Sequence, residues 1–234
     1  MHFSRTVLGG LTGVLLATTC AAAADLEGPR PYRGMRDEPY TPPVSWTGFY
    51  VGLHGGYGFS NADWDFYSAS LTNPGTGSVL GGQIGYNIQS GRLVYGLEAD
   101  LSSTWMNGSD GCGGGYTCRH DLNWMGSIRG RLGFAFNDNR TLFYGTGGVA
   151  WADAKFSSRD SAGVPFGSDY SVTKQGWVAG LGVEHMLSPN LTMRLEYLNY
   201  SFNDITAPAG TLDAAATKID LSSQVIRFGV NLKF

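Results

Sequence analysis

Val225-Ile-Arg-Phe-Gly-Val-Asn-Leu-Lys-Phe234 is a stretch in which apolar and polar residues alternate without interruption. Its apolar members are Ile226, Phe228, Val230, Leu232 and Phe234. Successive side chains of a β-strand point to opposite faces, so the stretch predicts a strand with one apolar and one polar face. The alternation continues to an aromatic residue at Phe234, where a water-soluble domain more often carries polar, loosely held residues. We therefore expect this strand to lie against lipid.

Seven similar stretches precede it, and each is at least as long as the roughly 9–11 residues that a tilted strand needs to cross a membrane. The eight candidate strands are residues 46–60, 78–89, 92–105, 121–136, 141–156, 174–187, 191–202 and 221–234. Short connections alternate with long polar ones: 90–91, 137–140 and 188–190 are short, and 61–77, 106–120, 157–173 and 203–220 are long. Short periplasmic turns and long external loops are typical of outer-membrane barrels. The sequence thus predicts an all-β fold, an eight-stranded antiparallel up-and-down transmembrane β-barrel with both chain ends in the periplasm.

Charged residues indicate which face of the predicted strands meets lipid. Four acids and four arginines lie on the phase opposite to the large apolar residues: Glu98, Asp100, Arg129, Arg131, Glu184, Arg194, Glu196 and Arg227. A soluble barrel would place the apolar set inside instead, but eight strands enclose little more than their own side chains. We therefore expect the apolar residues, Leu122 among them, to face lipid. The charges are expected to pair in a narrow lumen, where the planar guanidinium group suits carboxylates.

Two local features are also expected. Residues 141–156 follow neither phase cleanly, which predicts a β-bulge near Gly147 and Gly148. Aromatic residues lie toward the ends of the candidate strands and predict interfacial girdles. The members of this aromatic set are Trp46, Phe49, Tyr50, Tyr95, Trp105, Phe143, Tyr144, Trp151, Tyr197, Tyr200 and Phe234.

The first 45 residues predict two segments outside the barrel. Residues 1–24 have the pattern of a secretory signal peptide, with a basic start, an uncharged apolar stretch and Ala22-Ala-Ala24 before the cleavage point. The apolar stretch is too short for a spanning helix, and Thr18 and Thr19 fit a lipoprotein signal at Cys20 poorly. Residues 25–45 are rich in proline and charge and predict an extended N-terminal segment. The outer-membrane β-barrel is expected over residues 46–234.

Composition excludes two other classes of protein. Glycine contributes 35 of 234 residues, while charged residues make up only 15%. No run of 18 or more apolar residues follows the predicted signal, which excludes a helical membrane protein. A barrel is compatible with this composition because only every second side chain of a strand faces lipid. The net charge of −3 and the lack of a basic stripe argue against nucleic acid as a partner.

Cys112 and Cys118 are the two cysteines that remain after removal of the signal. An even pair in an oxidising compartment predicts a disulfide bond. The glycine-rich segment between them can turn tightly enough for the two thiols to meet. A metal site is the alternative, but two cysteines need two further ligands and only His120 is nearby.

Four motifs together resemble a known family. They are Trp46-Thr-Gly-Phe-Tyr-Val-Gly52, Tyr144-Gly-Thr-Gly-Gly-Val-Ala150, Leu195-Glu-Tyr197 and Arg227-Phe-Gly-Val-Asn-Leu-Lys-Phe234. The chain is similar to small alphaproteobacterial outer-membrane proteins of the surface-antigen and hemin-binding type, within the opacity-type superfamily. The resemblance implies an eight-stranded barrel in the cell outer membrane of a Gram-negative bacterium, surrounded by lipid and lipopolysaccharide. It also implies that Phe234 is a signal read by the barrel assembly machinery.

Several functions are compatible with this fold. A structural, surface-exposed role follows from a lumen filled by paired charges, and passage of small solutes, as in a porin, is the alternative. Hemin or another ligand could bind at the external loops, with His54, His120 and His185 as candidate iron ligands and His120 expected to be external. No spacing singles out a nucleophile, base and acid, so neither an enzyme nor catalytic residues are expected. No metal and no cofactor other than hemin is expected.

Overall fold

The barrel strands form a closed ring in the computed structural model, which describes residues 44–65, 70–113, 115–160, 162–165, 168–212 and 216–234. The strands are β1 (Gly48–Asp65), β2 (Ser70–Ser90), β3 (Leu93–Gly113), β4 (Tyr116–Phe136), β5 (Thr141–Asp160), β6 (Tyr170–Ser188), β7 (Leu191–Ala207) and β8 (Thr217–Lys233). Each strand pairs antiparallel with the next, and β8 pairs with β1. The predicted eight-stranded up-and-down barrel is confirmed. The predicted signal peptide and most of the proline-rich segment lie outside the described residues.

The strands are longer than the sequence pattern predicted. They contain between 17 and 21 residues, and about 20 residues tilted by roughly 40° rise about 50 Å, twice the height of a typical lipid-facing band. Much of the predicted long loops 61–77, 106–120, 157–173 and 203–220 is therefore strand. We call the strand parts farthest from the short turns the collar, which comprises residues 60–65, 70–79, 106–113, 116–122, 152–160, 170–176, 198–207 and 217–225.

A reversal of the apolar face within single strands explains why the collar was mistaken for loops. In β8, Ile219 and Leu221 point inward and are at most 1% exposed, whereas Ile226 and Phe228 point outward and are 49% and 53% exposed. Below the reversal the outer face is apolar and the inner face polar. Above it the outer face carries residues such as Lys218, because the collar wall meets water and packs its apolar residues inside. When a strand part with an apolar inner face directly follows one with an apolar outer face, the alternation changes phase, and the second part resembles a polar loop in the sequence.

The interior of the barrel consists of three layers. The collar encloses an apolar core of large side chains, including Trp64, Met106, Leu122, Phe156, Phe202, Ile219 and Leu221. At the opposite end, near the short turns, lies a smaller group that we call the mouth cluster: Trp46, Val94, Ala135, Leu142, Tyr144 and Met186. The charged residues predicted to line the lumen lie between these two apolar layers. The sequence did not predict either apolar layer, because we expected large apolar side chains to face lipid.

The strand pairing is irregular in β4 near Leu122, and not at the predicted position in β5. Pairing between β4 and β5 shifts between Leu122 and Trp124, which turns Leu122 into the barrel, where it is 2% exposed. The expected lipid-facing position of Leu122 is therefore wrong. The expected bulge at Gly147 and Gly148 is also wrong, since both residues pair continuously with β4 and β6. Strand β5 looked irregular because Leu142, an apolar residue, points inward.

The aromatic girdle is smaller than predicted. Phe49, Tyr95, Trp105, Phe143 and Phe234 do lie exposed on the outer wall. Four other members of the predicted set are at most 3% exposed inside the barrel: Trp46, Tyr50, Tyr144 and Tyr200. The inward direction of Tyr50, Tyr144 and Tyr200 follows from their strand register. Trp46 precedes β1 and also points into the barrel.

A pair of lysine substitutions on β8 tests the position of the reversal. Val230 lies in the middle of the outward apolar run of β8, and Gln224 lies on the same outer face in the collar. Val230→Lys should lower the free energy of unfolding in lipid bilayers by about 2–4 kcal/mol, whereas Gln224→Lys should change it by less than about 1 kcal/mol. The measurement is equilibrium unfolding in urea. Equal effects of the two lysines would contradict the assignment of lipid and water to the two parts of the wall.

Candidate functional site

Eight charged side chains form one layer inside the barrel, which we call the charged layer. They are Glu98 and Asp100 on β3, Arg129 and Arg131 on β4, Glu184 on β6, Arg194 and Glu196 on β7, and Arg227 on β8, each at most 8% exposed. Residues two apart on a strand share a face, so each same-strand pair points inward together. The strand register then places opposite charges side by side, because Glu98 pairs with Arg129 and Glu196 pairs with Arg227.

Glu98 is the centre of this layer. Its carboxylate accepts hydrogen bonds from Arg129 and Arg194. The same carboxylate lies 3.5 Å from a terminal nitrogen of Arg131 and 3.6 Å from one of Arg227. A single acid on β3 is therefore within ion-pair distance of all four arginines, which come from β4, β7 and β8. Through these contacts Glu98 connects strands on different sides of the barrel.

Asp100 and Glu196 complete the pairing of the arginines. Asp100 lies 3.1 Å from Arg129 and 3.1 Å from Arg227. Glu196 accepts a 2.7 Å hydrogen bond from Nε of Arg227, and its carboxylate lies 3.3 Å from Arg194. With four acids and four arginines, the formal charges of the layer cancel. Cancellation is necessary because an unpaired ion inside a protein carries a desolvation penalty of several kcal/mol.

Two tyrosines belong to this site although the sequence analysis placed them in the girdle. The Tyr50 hydroxyl donates to Glu98 at 2.7 Å and accepts from Arg131 at 2.8 Å. The Tyr144 hydroxyl donates to Glu196 at 2.7 Å, and the Arg131 guanidinium carbon lies 4.0 Å from the centre of the Tyr144 ring. Such stacking of a guanidinium on an aromatic face is favourable.

A pattern in the sequence could have identified these tyrosines. Tyr50 pairs across the sheet with Gly85, and Tyr144 pairs with Gly182. In both cases a Cβ added to the glycine would overlap the tyrosine ring. Each glycine therefore provides the space in which the ring lies flat against the neighbouring strand. A tyrosine opposite glycine on the polar face is a signal for an aromatic side chain inside a small barrel.

Glu184 extends the charged layer toward the short turns. It accepts hydrogen bonds from Arg131 at 2.6 Å, from Asn231 at 2.7 Å and from the Thr192 hydroxyl. Asn231 in turn accepts from the Gln83 amide at 2.7 Å. The Asn231 amide and the Thr192 hydroxyl thus add to the Arg131 ion pair in holding the Glu184 carboxylate.

The three histidines considered as iron ligands lie far apart in the fold. His54 is 2% exposed and contacts Gln83 through Nδ1 and Ser102 through Nε2. His185 is partly buried near the short turns, with Nδ1 3.0 Å from the Thr141 hydroxyl. His120 is fully buried in the collar, with Nε2 2.9 Å from the Ser60 hydroxyl. The expectation of an external His120 is wrong because residues 116–122 form a strand whose even-numbered side chains point inward.

The described part of the chain contains no group of three or more His, Cys, Asp or Glu residues that could hold a metal ion. Cys118 is disulfide-bonded and buried. The side chain of Cys112, its expected partner, lies outside the described residues. The disulfide bond of Cys118 therefore supports the predicted disulfide over the alternative of a metal site at these cysteines.

Comparisons with known proteins show what the chain is similar to. The family model of the outer membrane protein β-barrel domain matches residues 12–234. A 22 kDa outer membrane protein of Rhizobium leguminosarum bv. viciae is 33% identical over 201 residues, which cover 85% of this chain and 83% of that protein. A 31 kDa outer-membrane immunogenic protein of Brucella melitensis is 31% identical over 237 residues, covering 92% and 94%. The crystal structure of the outer membrane protein OprG from Pseudomonas aeruginosa is 17% identical with a TM-score of 0.48, covering 83% and 100%.

Removal of the central acid tests the energetic role of the charged layer. Glu98→Gln leaves four buried arginines facing three acids, so the free energy of unfolding should fall by about 3–5 kcal/mol. Asp121→Asn is the matched control, because Asp121 pairs with Arg119 at 2.8 Å on the collar surface, where their side chains are 29% and 53% exposed. That variant should lose less than about 1 kcal/mol. Equilibrium unfolding of both variants would contradict the assignment if the two losses were similar.

Acidification tests the burial of His120. Burial in the collar lowers the pKa of the His120 imidazole to about 4, below the value near 6.5 of an unfolded chain. Protonation therefore favours unfolding, so the His120 contribution to stability is complete above about pH 6.5 and is lost as the pH falls toward 4. The expected loss is about 3 kcal/mol.

The His120 effect is measured as a difference between two proteins, because carboxylates also titrate in this range. His120→Gln keeps a polar group that can reach Ser60 and cannot be protonated. Its free energy of unfolding should change less between pH 6.5 and 4 than that of the unmodified chain. Parallel pH profiles would show that His120 is accessible to solvent.

Proposed function

The chain belongs to the outer membrane protein β-barrel family, and on this premise we propose that it is a structural, surface-exposed component of the outer membrane without catalytic activity. The proposal includes a lumen that is closed to solutes by the charged layer. The names of its relatives describe outer-membrane and immunogenic proteins, which supports a location at the cell surface.

The observation that carries the proposal is the filling of the barrel interior. Arg129, Arg194 and Arg227 are each 1% exposed although arginine has the longest charged side chain of the layer. They come from β4, β7 and β8, and all of them reach Glu98 on β3. A polar layer that crosses the barrel in this way occupies the space that a solute would need. The apolar core of the collar and the mouth cluster cover it on both sides.

The proposed orientation places the short turns and both chain ends in the periplasm. Lys233 donates a 2.8 Å backbone hydrogen bond to Asn190 in the β6–β7 turn, and Phe234 donates one of 2.8 Å to Phe49 at the start of β1. The chain end therefore lies beside the short turns. In this orientation the collar projects outside the cell, and lipid and lipopolysaccharide surround the apolar belt. Phe234, which is 76% exposed, is available to the barrel assembly machinery.

Two alternatives receive less support from the geometry. A porin-like passage needs a continuous polar path, but the described interior has apolar layers above and below the charged layer. Hemin binding needs an accessible imidazole, and of the three candidate histidines His54 and His120 are buried, which leaves only His185 near the surface. Hemin binding thus remains a prediction from the family resemblance.

Single-channel recording in planar bilayers tests the closed lumen. The purified chain should give no steady conductance, because the charged layer blocks the barrel. The double variant Glu98→Ala and Arg194→Ala is the matched control, since it removes one acid and one base and leaves the net charge of the layer unchanged. This variant should show small, frequent openings. A large, steady and reproducible conductance of the unmodified chain would contradict the closed lumen. Fractionation of cells is a separate test, of the outer-membrane location.

A further inference from the structure

The mouth of the barrel at the short turns is covered by residues 44–47, which precede β1 and belong to no strand. Trp46 is 1% exposed and is the largest member of the mouth cluster. Val44 packs against the same cluster. A short piece of chain outside the β-ladder therefore places a large apolar side chain in the opening of the barrel.

Hydrogen bonds from both sides of the mouth hold Trp46 in place. Its indole Nε1 donates to the carbonyl oxygen of Asn139 at 2.8 Å, and its backbone N–H donates to the Gln89 side chain at 2.7 Å. The Thr47 hydroxyl accepts a 2.9 Å hydrogen bond from the backbone of Gln89. Gln89 lies at the end of β2 and Asn139 in the β4–β5 turn, so Trp46 bridges two separate parts of the rim.

The β4–β5 turn has an uncommon conformation at the point where it meets Trp46. Asn137, Asp138 and Asn139 have φ values of 54°, 54° and 62°. Left-handed backbone is costly for residues other than glycine, although Asn and Asp tolerate it better than most. The last of the three residues supplies the carbonyl group that accepts the indole N–H. The turn thus maintains three left-handed residues beside the group that covers the mouth.

The mouth cluster also contacts the charged layer. Tyr144 is a member of the cluster, and its hydroxyl donates to Glu196 at 2.7 Å. The Arg131 guanidinium group stacks on the Tyr144 ring. Among the described residues this apolar cluster therefore lies between the charged layer and the short turns, and Trp46 is its largest side chain.

We propose that Trp46 is a lid on this mouth, and that residues 44–47 can withdraw as a unit while the β-ladder stays intact. Withdrawal admits water and small polar solutes to Tyr144 and Arg131 from the side of the short turns. The inference rests on the proposed closed lumen and deepens it, because it identifies the group that controls access to the charged layer at one end.

Thiol accessibility in the folded mature chain tests the lid. Ala135 belongs to the mouth cluster and Ala154 to the collar core, and each is 1% exposed. Ala135→Cys and Ala154→Cys, made separately, introduce a reporter thiol below the lid and one at the far end. A water-soluble methanethiosulfonate reagent is added, and the rate of labelling is followed by mass spectrometry. Each reporter is combined with Trp46, Trp46→Ala or Trp46→Phe.

Trp46→Ala should accelerate labelling at position 135 at least tenfold and leave the rate at position 154 within twofold. Trp46→Phe, which fills most of the same space without the N–H donor, should accelerate labelling at position 135 less than threefold. An unchanged rate at position 135 in Trp46→Ala would overturn the lid. Equal acceleration at both positions would also overturn it, since Trp46 would then stabilise the whole barrel.

The labelling experiment is independent of channel recording. Steady conductance of the unmodified chain would contradict the proposal of a closed lumen, whatever the labelling rates are. If the unmodified chain shows no conductance and the labelling rate at position 135 is unchanged in Trp46→Ala, only the lid proposal is contradicted.

Discussion

The ion pairs of Glu98 with four arginines are the interaction on which the rest of the interior depends. Eight strands enclose too little space for water and large side chains together, so the polar residues must satisfy one another. The register of the strands brings four acids and four arginines to the same level and makes their formal charges cancel. Tyr50, Tyr144 and Asn231 donate further hydrogen bonds to the acids of the layer.

The surroundings of the barrel wall determine what lies on either side of this layer. Where the outer face meets lipid, apolar side chains point outward and the interior accepts charge. Where the outer face meets water, the same strands reverse their pattern and build an apolar core inside the collar. The collar therefore resembles a water-soluble barrel that continues a membrane barrel. Its core and the mouth cluster, which includes Trp46, lie on either side of the charged layer.

The fold was predictable because the lipid-facing alternation is strong and its short turns are regularly placed. The eight charged residues were predictable for the same reason, since each lies on the polar phase of a lipid-facing strand. The collar was not, because its alternation has the opposite sense and its outer residues are those of a loop. Leu122 and His120 were misplaced with it. Tyr50 and Tyr144 were missed because an aromatic residue near a strand end fits both a girdle and a glycine-backed interior position.

Hydrogen exchange of the arginine guanidinium protons tests most directly whether the charged layer is sealed from water. The measurement is nuclear magnetic resonance of the folded chain in lipid nanodiscs, with Arg119, whose side chain is 53% exposed on the collar surface, as the internal reference. The structure predicts that the guanidinium protons of Arg129, Arg194 and Arg227 exchange at least a hundredfold more slowly than those of Arg119. Exchange at the rate of Arg119 would show that water moves freely through the layer and would contradict a closed lumen.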